Sequence, residues 1–314
     1  MNLPRSTAIV VFLAFAFAYF FSALLRAVTA TLAPVFSVEL GLRAADLGLL
    51  AGAYFFGFAA LQLPLGRALD RFGPRRTLLV LLTAAVAGCA AFAAARSLAT
   101  LIAARVLIGA GVSACLMAPL TCYRRLYSPA AQLRANSWML MTGSLGMVAS
   151  TIPVQALLPA WGWRGLFWAV AGLLLCSMAL IAWLVPRDPP WHPQTAAAGH
   201  GTGYLAIVRH PLFVRTAPLG FFVYGGMIAV QTLWAGPWLT RVCHWSAEQA
   251  AQGLFAINLS MLVAFLVWGM VMPRLVQRRV DPMQIMAWGL PLSLLALAGN
   301  VVLGADAGAL HWAA

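Results

Sequence analysis

The sequence is dominated by runs of about 20 apolar residues. An α-helix rises 1.5 Å per residue, so about 20 residues cross the ~30 Å hydrocarbon core of a bilayer. Hydrophobic residues make up 63% of the 314-residue chain and charged residues only 9%, whereas soluble domains are roughly 25% charged. A soluble fold of this length cannot bury so much apolar surface in its own core, so the pattern predicts an all-α integral membrane protein.

Nine apolar runs are long enough to cross a bilayer, and turn signals such as Gly73-Pro74 and Ser128-Pro129 separate them. The first run is too long for the apolar part of a signal peptide and another run follows at once, so we interpret it as an uncleaved first helix. The predicted spans cover residues 8–33, 46–65, 77–95, 98–120, 137–158, 165–185, 216–239, 248–271 and 283–304.

The basic residues indicate how the spans are oriented. The formal net charge is +13, and all 20 of the Lys+Arg residues are arginines. Because they lie between apolar runs and form no RNA- or DNA-binding motif, they argue for membrane topology and against a nucleic-acid partner. With the N-terminus in the cytoplasm, four arginines fall in outside loops, Arg26 and Arg105 fall within spans, and all others fall in inside loops. Nine spans then place the C-terminus on the periplasmic side.

The loop between the second and third runs reads G-R-A-L-D-R-F-G-P-R-R-T-L from Gly66 to Leu78. A tight turn needs glycine where the backbone is strained, and one carboxylate among several guanidinium groups can join helix ends by bidentate pairing. This stretch resembles the signature loop of the major facilitator superfamily, G-x-L-x-D-R-x-G-R-R-x-x-L, and departs from it at Ala68 and Pro74.

Other stretches are similar to the same family. Residues 101–111 read L-I-A-A-R-V-L-I-G-A-G, like the family's fourth-helix motif, with Ile108 where the family often has Gln. The motif arginine, Arg105, is ascribed a role either in coupling or in helix packing. Gly162-Trp163-Arg164 resembles the start of the family's sixth helix. A shift of 203 residues aligns a degraded second signature loop on Gly269, Arg274, Arg278 and Arg279. The residues expected to have a gating or motif role are Gly66, Asp70, Arg71, Gly73, Arg75, Arg76, Arg105 and Gly109.

The resemblance implies a secondary transporter of two six-helix halves, which binds its substrate near the membrane midplane and works by alternating access. The expected fold is an all-α bundle of the major facilitator type. It comprises a complete six-helix N-terminal half (1–185), a cytoplasmic linker loop (186–215) and about three helices of the C-terminal half (216–314). A full member has about twelve spans, so the sequence is either a naturally short protein or a truncated reading frame.

The candidate substrate-binding residues are polar or aromatic side chains within the predicted spans. A guanidinium is expensive in lipid, so Arg26 is expected either to anchor a carboxylate or phosphate or to extend to headgroups at the outer interface. Tyr224, Gln231 and Trp234 lie at about helical spacing on one side of the seventh span, where they could line a cavity or bridge helices. Asn258, in the eighth span, is a further candidate.

The composition also limits the function. No acidic residue lies in mid-span, so a buried proton-carrying carboxylate is not evident, and exchange or facilitated movement of an anion is favoured. Neither a ligand spacing of Cys or His, nor a Ser/His/Asp set, nor a phosphate loop is found, so we expect no metal, no cofactor and no enzymatic activity.

We therefore expect a secondary transporter of a small solute, with an anion favoured, in a bacterial inner membrane. Its partners would be the solute and the lipid bilayer, without an obligate protein partner. A truncated fragment that does not transport, and a substrate sensor without flux, remain the alternatives.

Overall fold

A computed structural model describes residues 4–187, 208–277 and 282–303, and every regular element within them is a helix. The all-α fold expected from the apolar runs is therefore confirmed. The elements are α1 (Arg5–Leu40), α2 (Ala44–Ala60), α3 (Gln62–Phe72), α4 (Pro74–Ala93), α5 (Leu98–Val112), α6 (Met117–Leu126), α7 (Pro129–Ala149), α8 (Ile152–Leu184), α9 (Pro211–Ala229), the π-helical segment π1 (Val230–Trp234), α10 (Ala235–Arg241), α11 (Ala247–Gln277) and α12 (Pro282–Leu303).

Several of these helices can cross a bilayer. Six of the described stretches qualify on their own, and the bent pair α2 and α3, which meet at 41°, adds a seventh span if the pair is counted as one. This establishes a multi-pass membrane fold, while the count of nine spans stays a prediction. Within the described residues, the stretches that are long and apolar enough on their own are six: Arg5–Leu40, Pro74–Ala93, Leu98–Leu126, Ile152–Leu184, Pro211–Ala229 and Glu248–Val267.

The predicted span over residues 137–158 is not one continuous helix. The backbone breaks at Ser150 and Thr151, between the end of α7 and the beginning of α8. The buried hydroxyl of Thr31, on α1, donates a 2.8 Å hydrogen bond to the carbonyl oxygen of Ser150. A helix end leaves carbonyl groups without helical partners, so this bond supplies a partner where the helical ladder is interrupted. The hydrophobic run continues on both sides of the break, so the sequence pattern does not show it.

Helix α8 contains a chain reversal at Gly162, where φ is 62° and ψ is 168°. Glycine adopts this conformation without the steric cost of a Cβ atom. Beside the turn, Arg164 donates a hydrogen bond to the carbonyl oxygen of Ala95, just past the end of α4. Near the end of α8, the carbonyl oxygen of Ala182 accepts a hydrogen bond from Arg75, which lies at the start of α4. Since α4 has 20 residues, and so is about 30 Å long, the chain after Gly162 runs back along α4, as the predicted sixth span requires.

Helices α2 and α5 pack backbone to backbone through two glycines. A Cβ atom at Gly57, on α2, would overlap the carbonyl oxygen of Val106, and one at Gly109, on α5, would overlap that of Tyr54. A Cβ atom at Gly146, on α7, would likewise overlap the backbone of α1. Small residues at these positions give the close helix contacts typical of membrane bundles.

The segments after the linker pack on the first bundle through α1 and α7. Helix α11 lies against α7, and both π1 and α10 contact α1. A small apolar core forms around Ala235, Leu239 and Leu254, with Ala30 of α1 packed against it. Contacts between the two parts therefore involve both α7 and α1, the helix that also carries Arg26.

Some sequence-based predictions fall on residues that are not described. They include most of the linker, at residues 188–207, and the C-terminal residues 304–314. The degraded second signature loop also lies outside the described side chains. The division into residues 1–185, 186–215 and 216–314 stays a prediction.

Candidate functional site

The guanidinium of Arg26 lies among aromatic side chains of α1, α2 and α9. Its Cζ atom is 5.8 Å from the centre of the Phe58 ring. The phenol groups of Tyr54, Tyr19 and Tyr224 lie within electrostatic range, with Tyr54 the strongest, although the Tyr54 hydroxyl makes no hydrogen bond of normal geometry. Arg26 forms no ion pair with any described residue. These neighbours place the half-buried guanidinium between helices of the bundle, and the choice between an anion anchor and contact with headgroups stays a prediction.

Arg105 is buried on α5 and links this helix to α1 and α2. Its Nη1 atom donates a 2.9 Å hydrogen bond to the carbonyl oxygen of Leu25, and its Cζ atom lies 4.9 Å from the centre of the Tyr54 ring. Tyr54 is therefore shared between two guanidinium groups, because its ring lies against Arg105 and its phenol faces Arg26. The Nε atom of Arg105 is buried without a hydrogen-bond partner among the described residues, so the role of Arg105, in coupling or in helix packing, stays a prediction.

Gln231 and Asn258 form a buried polar pair between π1 and α11. Their exposed fractions are 4% and 3%. The Nε2 atom of Gln231 donates a 2.7 Å hydrogen bond to Oδ1 of Asn258 and lies 3.2 Å from the sulfur of Met261. The Nδ2 atom of Asn258 donates a 2.8 Å bond to the carbonyl oxygen of Leu254. The Oε1 atom of Gln231 is buried without a hydrogen-bond partner among the described residues.

The two aromatic residues predicted to share a face with Gln231 have different surroundings. Tyr224 is exposed and interacts electrostatically with Arg26. Trp234 is also exposed, but makes no ring contact or hydrogen bond with Arg26 or Gln231 in the described part of the chain. The spacing argument assumed an α-helix throughout, and a π-helical turn changes the direction of the side chains around it. One shared face for the three residues does not hold.

The signature loop forms a turn tied to neighbouring helices. Gly73, with φ of 81°, separates α3 from α4. From α6, the Nη2 atom of Arg125 donates a 3.3 Å hydrogen bond to the carbonyl oxygen of Leu69 and lies 4.0 Å from a carboxylate oxygen of Asp70. Arg75 bonds the backbone near the end of α8. These contacts join the ends of α3, α4, α6 and α8 at one end of the bundle.

The other residues of the signature loop lie at the surface. Gly66 has open space where a Cβ atom would be. The guanidinium of Arg71 lies 5.3 Å from the ring centre of the neighbouring Phe72. Arg76 is exposed and lines an apolar groove between α3 and α4.

At the opposite end of the bundle lies a cluster that we call the distal clasp, formed by Glu39, Trp163 and Arg164. The indole nitrogen of Trp163 donates a 2.5 Å hydrogen bond to one carboxylate oxygen of Glu39, and Arg164 forms an ion pair with the other. The Cζ atom of Arg164 lies 4.1 Å from the Trp163 ring centre. The sequence alone did not connect these residues, because more than a hundred positions separate Glu39 from the other two.

The aromatic surroundings of Arg26 were also missed. Tyr19, Tyr54 and Phe58 lie within apolar runs, where aromatic residues are common and carry no signal of their own. The available indication was spacing: Tyr19 precedes Arg26 by seven residues, which places both on one face of α1. Nothing in the sequence of α2 predicted which of its faces meets that arginine.

The structure is a helical bundle with an arginine between its two parts and a signature loop that connects helix ends. These features define a multi-pass membrane transporter fold. The family model of the Major Facilitator Superfamily matches residues 15–314. The chain belongs to this family, as the signature loop predicted. Because its members are transporters, membership also agrees with the expectation that the chain is not an enzyme.

Two curated relatives show similarity over most of this chain. It is 32% identical over 211 residues to the chloramphenicol resistance protein of Streptomyces lividans, covering 66% of this chain and 52% of that protein. It is 24% identical over 246 residues to a Cupriavidus necator protein named "Probable sulfoacetate transporter SauU", covering 74% of this chain and 57% of that protein. The chain thus spans about half the length of these relatives.

Solved structures share the fold at low sequence identity. A bacterial homologue of the human lysosomal transporter Spinster, in an inward-facing and unoccupied conformation, has a TM-score of 0.68 at 18% identity, covering 87% of this chain and 64% of that one. The human organic anion transporter MFSD10 (TETRAN) has a TM-score of 0.60 at 19% identity, covering 85% and 73%.

Proposed function

We propose that the protein moves a small organic anion across the membrane by alternating access, with Arg26 as the group that binds the anion. The observation that carries this proposal is the setting of Arg26. Its guanidinium lies inside the bundle, among aromatic rings and phenols, and has no ion-pair partner in the described part of the chain. The side chain is half-buried, so the guanidinium has lost part of its hydration without gaining a described counter-charge, and an anion that enters the bundle is stabilised beside it.

The chemistry around Arg26 suits a carboxylate or a sulfonate. A guanidinium offers two parallel N–H donors to such a group, and phenol hydroxyls can donate to its remaining oxygens. The described carboxylates all lie near helix ends and leave the middle of the bundle to Arg26 and Arg105; they are Glu39, Asp46, Asp70 and Glu248. The name of one curated relative, a sulfoacetate transporter, also supports an organic anion as the solute.

The test replaces Arg26 by Gln and by Lys in the full chain, reconstituted in liposomes. Uptake of labelled acetate, benzoate and sulfoacetate would be measured, with binding followed by isothermal titration. Charge-assisted hydrogen bonds contribute about 1.5–3 kcal/mol, so Arg26→Gln should weaken anion binding at least about tenfold. Arg26→Lys should fall between Gln and the native protein, because it keeps the charge and loses the bidentate geometry.

The control variant is Arg96→Gln, which removes an exposed arginine far from the site. It should bind and transport like the native protein. If Arg26→Gln binds every tested anion as well as the native protein does, Arg26 is not the anion anchor.

A second candidate is binding without flux, as in a sensor or in a form that does not transport. The observation in its favour is that the setting of Arg26 accounts for the binding of an anion and does not by itself require movement across the membrane. The same reconstitution separates the two functions. Arg26-dependent binding together with Arg26-dependent uptake supports transport, whereas Arg26-dependent binding without uptake supports the second candidate.

We also infer the orientation of the protein in a bacterial inner membrane. The signature loop and its arginines would face the cytoplasm together with the N-terminus, and the distal clasp would face the periplasm. Supporting this, Ala8 near the N-terminus accepts a hydrogen bond from Tyr127, at the end of α6 that also contacts the signature loop. The positive-inside rule places such an arginine-rich end in the cytoplasm. The periplasmic C-terminus of the nine-span arrangement follows from the same orientation.

A further inference from the structure

The buried amide pair leaves one acceptor without a donor. The carbonyl oxygen of Leu254 can only accept, so the amide group facing it must be the Nδ2 of Asn258. The Oδ1 of Asn258 then faces Gln231 and can only accept, so the amide atom of Gln231 facing it must be the Nε2. This network assigns both amides, and it leaves the Oε1 of Gln231 as an acceptor with no described partner.

This acceptor makes none of the hydrogen bonds that the same amide makes to α11. The Nε2 of Gln231 points at Asn258 and Met261, both on α11, and Oε1 has no hydrogen-bond partner among the described residues. The remaining helices packed against π1 include α1 and α2, the two that carry Arg26 and its aromatic neighbours.

The acceptor lies at the same depth in the bundle as Arg26. The Nε2 atom of Gln231 lies 3.2 Å from the sulfur of Met261, and Met261 packs against Ala23 and Ala27, which flank Arg26 on α1. Gln231 and the turn of α1 that carries Arg26 are therefore separated by one side chain. A buried acceptor without a donor weakens a fold or a complex, so a ligand that supplies the donor gains affinity at this position.

We propose that the site accepts organic anions that also carry a hydrogen-bond donor such as a hydroxyl, with the anion on Arg26 and the donor on Oε1 of Gln231. This inference rests on the proposed function, since it names the class of solute that the Arg26 site takes. A hydroxy-carboxylate or a hydroxy-sulfonate meets both requirements. A water molecule at Oε1 is the competing occupant, and it would give no preference for a hydroxyl on the ligand.

The test compares matched acids that differ in one hydroxyl: glycolate with acetate, lactate with propionate, and mandelate with phenylacetate. Binding to the full chain in lipid nanodiscs would be measured by isothermal titration at a pH where all six are ionised. We expect the hydroxy acid of at least one pair to bind about tenfold more tightly, because a site that hydrogen-bonds a hydroxyl rejects the analogue that lacks it. Equal affinities in all three pairs would overturn the proposal without any variant being made.

Two variants assign the preference to Gln231. Gln231→Leu removes the acceptor, so the two acids of each pair should bind within about twofold of one another. Gln155→Leu, on α8, is the matched control and should keep the native preference. A preference that survives Gln231→Leu overturns the assignment to this residue. The two proposals can also be told apart. If Arg26→Gln abolishes anion binding but no acid pair shows a preference for the hydroxyl, the proposed function stands and this inference fails.

Discussion

Replacing Gly109 by Ala tests the backbone contact between α2 and α5. A Cβ atom at this position would overlap the carbonyl oxygen of Tyr54 and come within 2.9 Å of its carbonyl carbon. Both atoms belong to the backbone of α2, so no side chain can rotate away, and α2 and α5 must separate. Overpacking of this kind costs about 1–3 kcal/mol. Ala is also a better helix former than Gly by about 1 kcal/mol, which partly offsets the clash.

A second glycine separates the cost of the steric overlap from the gain in helix propensity. Gly52, within α2, is exposed and has no atom within 4 Å of the position of a Cβ atom. Gly52→Ala therefore gains the helix propensity without a clash. The difference between Gly109→Ala and Gly52→Ala isolates the packing cost, which we expect to be about 1–3 kcal/mol.

Unfolding can be followed through the reactivity of the buried cysteine thiols. Four of the five cysteines are buried and one, Cys176, is exposed, so a thiol-reactive dye reports unfolding in a Cys176→Ser background. Gly109→Ala should unfold several degrees below Gly52→Ala. Equal unfolding temperatures, or a higher one for Gly109→Ala, would refute the backbone contact between α2 and α5.

Two further predictions concern the helix break and the orientation. Thr31→Val leaves the Ser150 carbonyl oxygen buried without its donor, and should destabilise the protein by about 1–3 kcal/mol. Thr83→Val, which removes an exposed hydroxyl that bonds within its own helix, should change stability by under about 0.5 kcal/mol, and equal effects would contradict the role of Thr31. In the Cys176→Ser background, Arg43→Cys should react with a membrane-impermeant maleimide added outside intact spheroplasts, and Arg71→Cys should not, while the reverse pattern would overturn the orientation.

The helices and the family could be predicted from the sequence because the pattern that indicates each of them lies within one short stretch of the chain. Runs of about 20 apolar residues specify membrane helices whatever their partners. The signature loop carries its own glycine and charge pattern, and the structure places Gly73 at a positive φ, where that pattern requires it. The break at Ser150 is different, because its stabilising contact comes from Thr31, more than a hundred residues away.

The sequence analysis named the candidate residues one by one but not how they are arranged, and their roles in binding stay predictions. Arg26 and Gln231 stand out because polar groups are rare in apolar runs, and both lie inside the bundle. The spacing of Trp234 predicted a shared face with Gln231, and the π-helical turn removes it. A π-helical turn is a rare irregularity within an α-helix, and a search for a period of 3.6 residues does not detect it. The pairing of Gln231 with Asn258 is likewise a contact between two helices.

The position of the proposed ligand groups bears on how binding could be coupled to movement. Arg26 belongs to the first bundle, whereas Gln231 belongs to the segments after the linker, and π1 packs against α1 where the two parts meet. A ligand shifts a conformational equilibrium only by its difference in affinity between the states. An anion held only by Arg26 and the phenols of the first bundle, Tyr19 and Tyr54, would bind similarly however the second part lies. A hydroxy acid that also hydrogen-bonds Gln231 gains this bond only while π1 lies against α1. The hydroxyl that raises the affinity therefore also favours the conformation in which the two parts are packed together.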